Sequence, residues 1–196
     1  MRLPPPWERV PAAAIDGIEP ARVRRAFEAE MRFYAEHADE ATGDEALADL
    51  RERCAALLSS RLGRPIDVPT MMEAIAFEAY RDARPALAAL RALGLRIVCV
   101  SNWDHALGEV LERIGLAPCF DAVLTSAAAG ARKPDPAIFE AALALAGCGA
   151  GEAIHVGDGE ADVEGARAAG IDVLRIDREG GGDIASLTEI VQHLRR

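Results

Sequence analysis

Residues 153–162 read Ala-Ile-His-Val-Gly-Asp-Gly-Glu-Ala-Asp: a short apolar run, two glycines around an acidic residue, and a second acidic residue four positions on. The apolar run predicts a strand over Ala153–Val156. The polar residues beyond it open a helix over Glu160–Ala169. Gly157 and Gly159 let the backbone turn at the strand end and leave Asp158 at its tip, with Asp162 in the first helical turn. Two acidic groups at one strand end suit a magnesium ion, which takes one or two carboxylates together with waters and substrate phosphate. A plainer reading makes Asp158 a turn residue and Asp162 a favourable charge at a helix N-terminus.

The same unit repeats on both sides of this stretch. Leu95–Val100, Ala122–Thr125 and Val173–Ile176 are further apolar strand-like runs. Helical patterns cover Asp104–Ile114, Pro136–Ala146 and Ile184–Leu194. Strands that are apolar without strict alternation, joined by crossover helices, predict an α/β fold with a parallel sheet covered on both faces. Upstream the period changes. Glu19–Ala38, Asp44–Leu62 and Pro69–Tyr80 carry apolar residues at three- and four-residue steps, which predicts amphipathic helices with no chemistry of their own. The division expected is a helical unit over residues 1–83 and an α/β core over 84–196.

Ligands of open parallel sheets bind where the strands end, so the segments after the strands are the candidate site. The first is Ser101-Asn102-Trp103-Asp104, where a hydroxyl and an amide meet the start of a helix. Ser101 suits an anion there, or is a turn residue, while Asp104 is a good N-cap. The second is Lys133-Pro134-Asp135-Pro136-Ala137-Ile138-Phe139. Asp135 and Pro136 set the helix start and Pro134 stiffens the approach, which holds Lys133 at a defined place. A fixed ammonium there neutralises a phosphoryl group and an attacking carboxylate.

Residue usage singles out the same places. Lys133 is the one lysine among 22 basic residues, and Asn102 is the one asparagine. Arginine does not replace a compact point charge in a tight pocket, and aspartate does not offer the donor and acceptor of an amide.

Composition excludes several classes. The formal charge of -10 disfavours nucleic acid, whose binders need a basic face. No apolar run is long enough to span a bilayer, and MRLPPPWERV lacks the apolar centre of a signal peptide. Four unpaired-looking cysteines (Cys54, Cys99, Cys119, Cys148) suggest neither zinc nor disulfides, so a cytoplasmic setting is expected. Oligomeric state is not readable.

Taken in order, VCVSN (98–102), KPDPAIF (133–139) and HVGDGEAD (155–162) resemble the second, third and fourth motifs of the haloacid dehalogenase (HAD) superfamily. The likeness covers Arg84 to about Arg196, and the helical front half is similar to the α-helical cap of subfamily I. The resemblance implies a HAD-like Rossmannoid core and magnesium-dependent hydrolysis of a small phosphorylated metabolite through an aspartyl-phosphate. It implies that Ser101 bonds the transferred phosphoryl group with Asn102 beside it. Lys133 would stabilise nucleophile and phosphoryl charge, Asp158 would ligate Mg2+, and Asp162 would support that metal site.

The superfamily's first motif, an apolar strand ending in Asp-x-Asp-x-Thr, has no counterpart here. Its first Asp is the nucleophile and its second a general acid and base. The nearest candidate is Ala12–Asp16, which lacks the second Asp and the Thr. The absent strand belongs between those carrying Ser101 and Asp158. Its loss leaves up to roughly ten backbone groups unpaired, at ~1–3 kcal/mol each wherever water is excluded. Three readings stand. One is a truncated chain whose Met1 is a mis-assigned start. Another is an inactive pseudo-phosphatase that binds a phosphometabolite or a protein. The third is a purely structural α/β domain with no ligand, whose melting temperature neither magnesium nor phosphate would raise.

Overall fold

The structure is a computed structural model and describes residues 1–194. The front half contains α1 (Ala12–Ile15), α2 (Pro20–His37), α3 (Asp44–Leu62) and α4 (Val68–Ala74). The Glu19 carboxylate accepts from the N–H groups of Ala21 and Arg22 to start α2. Gly63, in the left-handed conformation at φ 74°, ends α3. The two long helices pack against each other around Val23, Phe27, Leu50, Cys54 and Leu58, with Met71 of α4 closing the cluster. Phe27, Leu50 and Leu58 are fully shielded from water.

After α5 (Ala83–Ala92) come β1 (Val98–Ser101), α6 (Leu107–Arg113), β2 (Ala122–Thr125), α7 (Ser126–Ala129) and α8 (Pro136–Ala146). The chain continues through β3 (Ile154–Gly157), α9 (Glu160–Ala168), β4 (Asp172–Arg175) and α10 (Ile190–His193). The strands are parallel, as their apolar composition requires, and they form two separate pairs. In the first, Val98 stands opposite Ala122 and Ser101 opposite Thr125; in the second, Ile154 stands opposite Asp172 and Gly157 opposite Arg175.

Among the described residues β1 does not pair with β3, and the gap expected from the absent central strand lies between them. Two cavities of about 670 and 630 Å3 are each lined by β1 on one side and β3 on the other. Every residue of β1 is only half-buried, and Ile154 at the start of β3 is 36% exposed. Water therefore reaches the backbone edges that a central strand would cover, which lightens the cost of leaving them unpaired.

Three expected helices are shorter than their patterns. The segment after α4 leaves the helix because Glu78 exchanges both backbone hydrogen bonds with Arg2, at 2.8 and 2.9 Å. The helix expected from Asp104 begins at Leu107, since the Asp104 carboxylate holds the Ala106 N–H at 2.7 Å in a preceding turn. Ile184 does not open a helix. It bridges Ile176 in parallel, and a 3-10 turn at Leu187–Glu189 leads into α10. Helix α5, which the pattern reading passed over, packs Ala83 and Leu87 on Leu107 and Leu111 of α6.

Candidate active site

The larger cavity opens at the carboxyl ends of β1 and β3, and Ser101, Lys133, Asp158 and Asp162 all line it. Its volume is within the usual range of small-molecule sites. Each side chain reaches it by a local device. Ser101 is the last residue of β1, so its hydroxyl leaves the strand at the cavity floor. Lys133 precedes a cis peptide bond to Pro134 and the Asp135 cap, whose carboxylate accepts from Ala137 N–H at 2.9 Å. Asp158 follows Gly157 at the tip of β3, exposed to solvent and without a hydrogen bond or ion pair to any described residue.

Lys133 and Asp162 form the most enclosed ion pair of the molecule's described residues. Lys133 Nζ donates to Asp162 Oδ1 at 2.6 Å, with the two side chains 12% and 10% exposed. Nζ also donates to the Val100 carbonyl at 3.3 Å, which ties the lysine to the open edge of β1. Asp162 Oδ1 takes a second bond from His155 Nε2 at 2.9 Å, and Oδ2 accepts from Gly159 N–H at 3.3 Å. Burial alone would raise the Asp162 carboxyl, but the His155 bond and the Lys133 charge outweigh it and hold the group down at about 2.

Asp162 therefore faces Lys133 and His155 first, and Asp158 is the carboxylate left free toward the cavity. His155, whose ring also meets Phe139 edge-on at 5.0 Å, is the packed histidine that its position between Ile154 and Val156 suggests. Gly157 serves a different purpose from a turn. A Cβ there would come within 2.4 Å of the Asp162 side chain, so glycine is needed for close approach, and neither Gly157 nor Gly159 has a positive φ.

Asn102 is placed beside the cavity wall and spends its amide on the lysine segment. Nδ2 donates to the Lys133 carbonyl at 3.0 Å and Oδ1 accepts from the Lys133 N–H at 2.8 Å. That two-way bond explains why an amide stands there, since a carboxylate would lack the donor. It fixes Lys133 and leaves Asn102 one Nδ2–H uncommitted beside the cavity wall.

Asp16, the last residue of the nearest first-motif candidate, lies far from this arrangement in character. Ala12–Ile15 is a helical turn, and Asp16 is an exposed residue whose carbonyl accepts from Arg64.

Two cavity residues escaped the pattern reading. Arg178 stacks over Tyr80 at 3.7 Å and pairs with Asp82 at 3.0 Å, placing a further cation on the cavity wall. Nothing in an arginine-rich sequence marks that arginine. Tyr80, at the end of the front half's last helical pattern, is its platform. A further contact joins the two halves of the chain: Ser126 donates a short hydrogen bond to Asp39, and Arg132 pairs with Asp39 at 3.4 Å.

Together these groups offer a fixed ammonium, a strand-end hydroxyl, a free carboxylate and a guanidinium around one open cleft. No group of three or more His, Cys, Asp or Glu side chains among the described residues could hold a metal unaided. A divalent ion would need oxygens from its ligand as well as from Asp158, which is how magnesium is commonly held.

Comparison with known proteins places the fold and the family. Of curated relatives, "Haloacid dehalogenase-like hydrolase domain-containing protein 3" of Bos taurus is 44% identical over 96 residues, covering 48% of this chain and 38% of that protein. "Phosphoserine phosphatase" of Thermus thermophilus is 41% identical over 101 residues, covering 50% and 41%. The chain thus spans less than half the length of these curated relatives. Among solved structures, L-2-haloacid dehalogenase from Xanthobacter autotrophicus superposes with a TM-score of 0.71 at 21% identity, covering 97% of this chain and 93% of that one. That likeness shows a shared fold. The family of haloacid dehalogenase-like hydrolases matches residues 7–170, most of the chain, and this protein belongs to it.

Proposed function

We propose that the cleft binds the phosphoryl group of a small phosphorylated metabolite, and that the fold is that of a magnesium-dependent phosphatase. The observation that carries the reading is the convergence of Ser101, Lys133 and Asp158 on one cavity. Lys133 neutralises phosphoryl charge from a position fixed by Asn102 and Asp162, and the Ser101 hydroxyl donates to a phosphoryl oxygen. Asp158 would hold Mg2+ together with oxygens of the phosphate. The ion would supply charge neutralisation at the phosphoryl group. Phosphatases among the relatives support the reaction class. Residues 1–83 act in this reading as the cap over the cleft.

Among the described residues no strand fills the gap between β1 and β3, and the carboxylates that line it, Asp158 and Asp162, belong to β3's end and α9 rather than to a first-motif strand. The chain as given therefore binds without turning over. Hydrolysis through an aspartyl-phosphate requires an aspartate-bearing apolar strand that fills the gap. An inactive phosphate-binding protein is the second reading, and the same open gap favours it.

Three measurements decide. Inorganic phosphate with magnesium should raise the melting temperature of the 196-residue protein, and Lys133→Met should abolish that rise. p-Nitrophenyl phosphate should not be hydrolysed by this chain. Extension by the upstream reading frame should restore hydrolysis if that frame encodes an apolar run ending in Asp. No thermal response to phosphate would overturn the binding site, and turnover by the unextended chain would overturn the proposed role of the gap.

A further inference from the structure

A second, smaller cavity of about 160 Å3 lies between the front-half helices and the segment after β1. Its walls are apolar: Met31, Met71, Met72, Ile75, Phe77 and Trp103. One charged group enters it from α2. Glu30 is 2% exposed, and its Oε2 atom is buried without a hydrogen-bond partner among the described residues. A buried polar atom left unpaired is costly and uncommon in a native interior. Burial raises the Glu30 carboxyl to about 7, against a smaller opposing effect from the neighbouring Cys54 thiol.

The remaining polar groups on the wall are largely committed. The Tyr34 hydroxyl donates to Asp104 Oδ2 at 2.7 Å, and Asp104 Oδ1 takes the Ala106 N–H. Both leave acceptor capacity toward the cavity and no donor. Arg51, half-buried on the wall, makes no hydrogen bond to the free oxygen of Glu30. The cavity is thus a largely apolar sleeve in which no described residue donates to the acceptor at its end, although the Arg51 guanidinium lies on the same wall. A space of about 150 Å3 lined by aliphatic and aromatic groups accommodates six carbon atoms, so the volume suits a body of similar size. Phe77 and Trp103, whose rings meet at 4.9 Å, would also attract a cation.

We propose that this cavity is a binding site for a short aliphatic primary ammonium, with the alkyl body among the methionines and the nitrogen donating to Glu30 Oε2. Phe77 and Trp103 form walls of both this cavity and the Ser101–Lys133 cleft, so the amine site sits directly behind the cleft. The inference stands apart from phosphate hydrolysis, because it requires only that the cavity and the carboxylate be present.

The test is titration of the 196-residue protein with n-pentylamine at about pH 8, above the Glu30 transition, followed by the indole N–H resonance of Trp103. A saturable shift is expected, with 1-pentanol binding at least about tenfold more weakly, the margin of one charge-assisted hydrogen bond. Glu30→Gln should weaken the amine by a similar factor and leave the alcohol within about twofold. Met72→Trp, which fills the cavity and keeps the carboxylate, should abolish binding of both, and it serves as the decisive variant if Glu30→Gln does not fold. The proposal fails if no saturable shift occurs, if pentanoate binds as well as the amine, or if either folded variant binds the amine like the wild type. Loss of the phosphate response with amine binding intact would count against the cleft and not against this site.

Discussion

The helical front half and the strand half solve the same problem of burial in opposite ways. Around Phe27, Leu50 and Leu58 the helices close a dry core whose backbone groups are satisfied within each helix. The β1–β2 and β3–β4 pairs cannot do this, because a strand finds its partners only in another strand, and each pair has one edge facing the gap. A helix can therefore lose its neighbour and keep its hydrogen bonds, whereas a central strand cannot be removed without opening both of its neighbours. What tolerates the gap is water on the edges, the Lys133 bond to the Val100 carbonyl, and the polar cluster at the strand ends.

The largest expected effect tests the closed side. Phe27→Ala removes a fully buried ring and should destabilise the protein by about 4 kcal/mol in urea unfolding. A loss below about 1 kcal/mol would mean that the front half is not the rigid partner in this comparison.

An intermediate effect separates the halves by the sign of their pH dependence. Asp162, held at about 2 in the fold against 3.8 for its free carboxyl, stabilises above the free value and loses about 2 kcal/mol as pH falls through that interval. Glu30, raised from 4.5 to about 7, behaves oppositely. The fold binds its proton more tightly than the unfolded chain does, so stability declines as pH rises from about 4.5 to 7. Urea midpoints across these windows should show the acid limb vanish in Asp162→Asn and the neutral limb vanish in Glu30→Gln. If each substitution left its own limb in place, the assignments would be wrong.

The smallest effect probes the open side. Val100→Ala on half-buried β1 should cost less than about 1 kcal/mol, because little apolar area is withdrawn from water there. A cost like that of Phe27→Ala would show that the gap is closed in solution. A strand supplied to the gap should raise the cost of Val100→Ala, which makes this variant a gauge of occupancy.

Much of this was legible from residue patterns because its causes are local. Asp44–Leu62 and Pro136–Ala146 are bounded by caps and breakers that act within a turn, and the observed helices match them. The helices that came out short were altered by distant partners: Arg2 for the segment at Glu78, and Ile176 for Ile184. The site was legible as a set of strand-end residues because parallel strands deliver their ends to one side of a sheet. The division of labour inside it was not. Spacing alone did not tell that Asn102 would clamp the lysine segment, that Asp162 would meet Lys133 and His155, or that Arg178 would complete the wall.

By itself, then, the sequence determined the helices with local stops, the parallel pairing of four apolar runs, and the absence of a nucleophile-bearing strand. Tertiary structure alone decided that the absence stays open as a water-accessible cleft, which carboxylate remains free in it, and that a buried glutamate ends an apolar cavity beside it. Periodicity and capping are properties of neighbouring residues, whereas solvent access and hydrogen-bond partnership depend on which distant segments arrive at the same place.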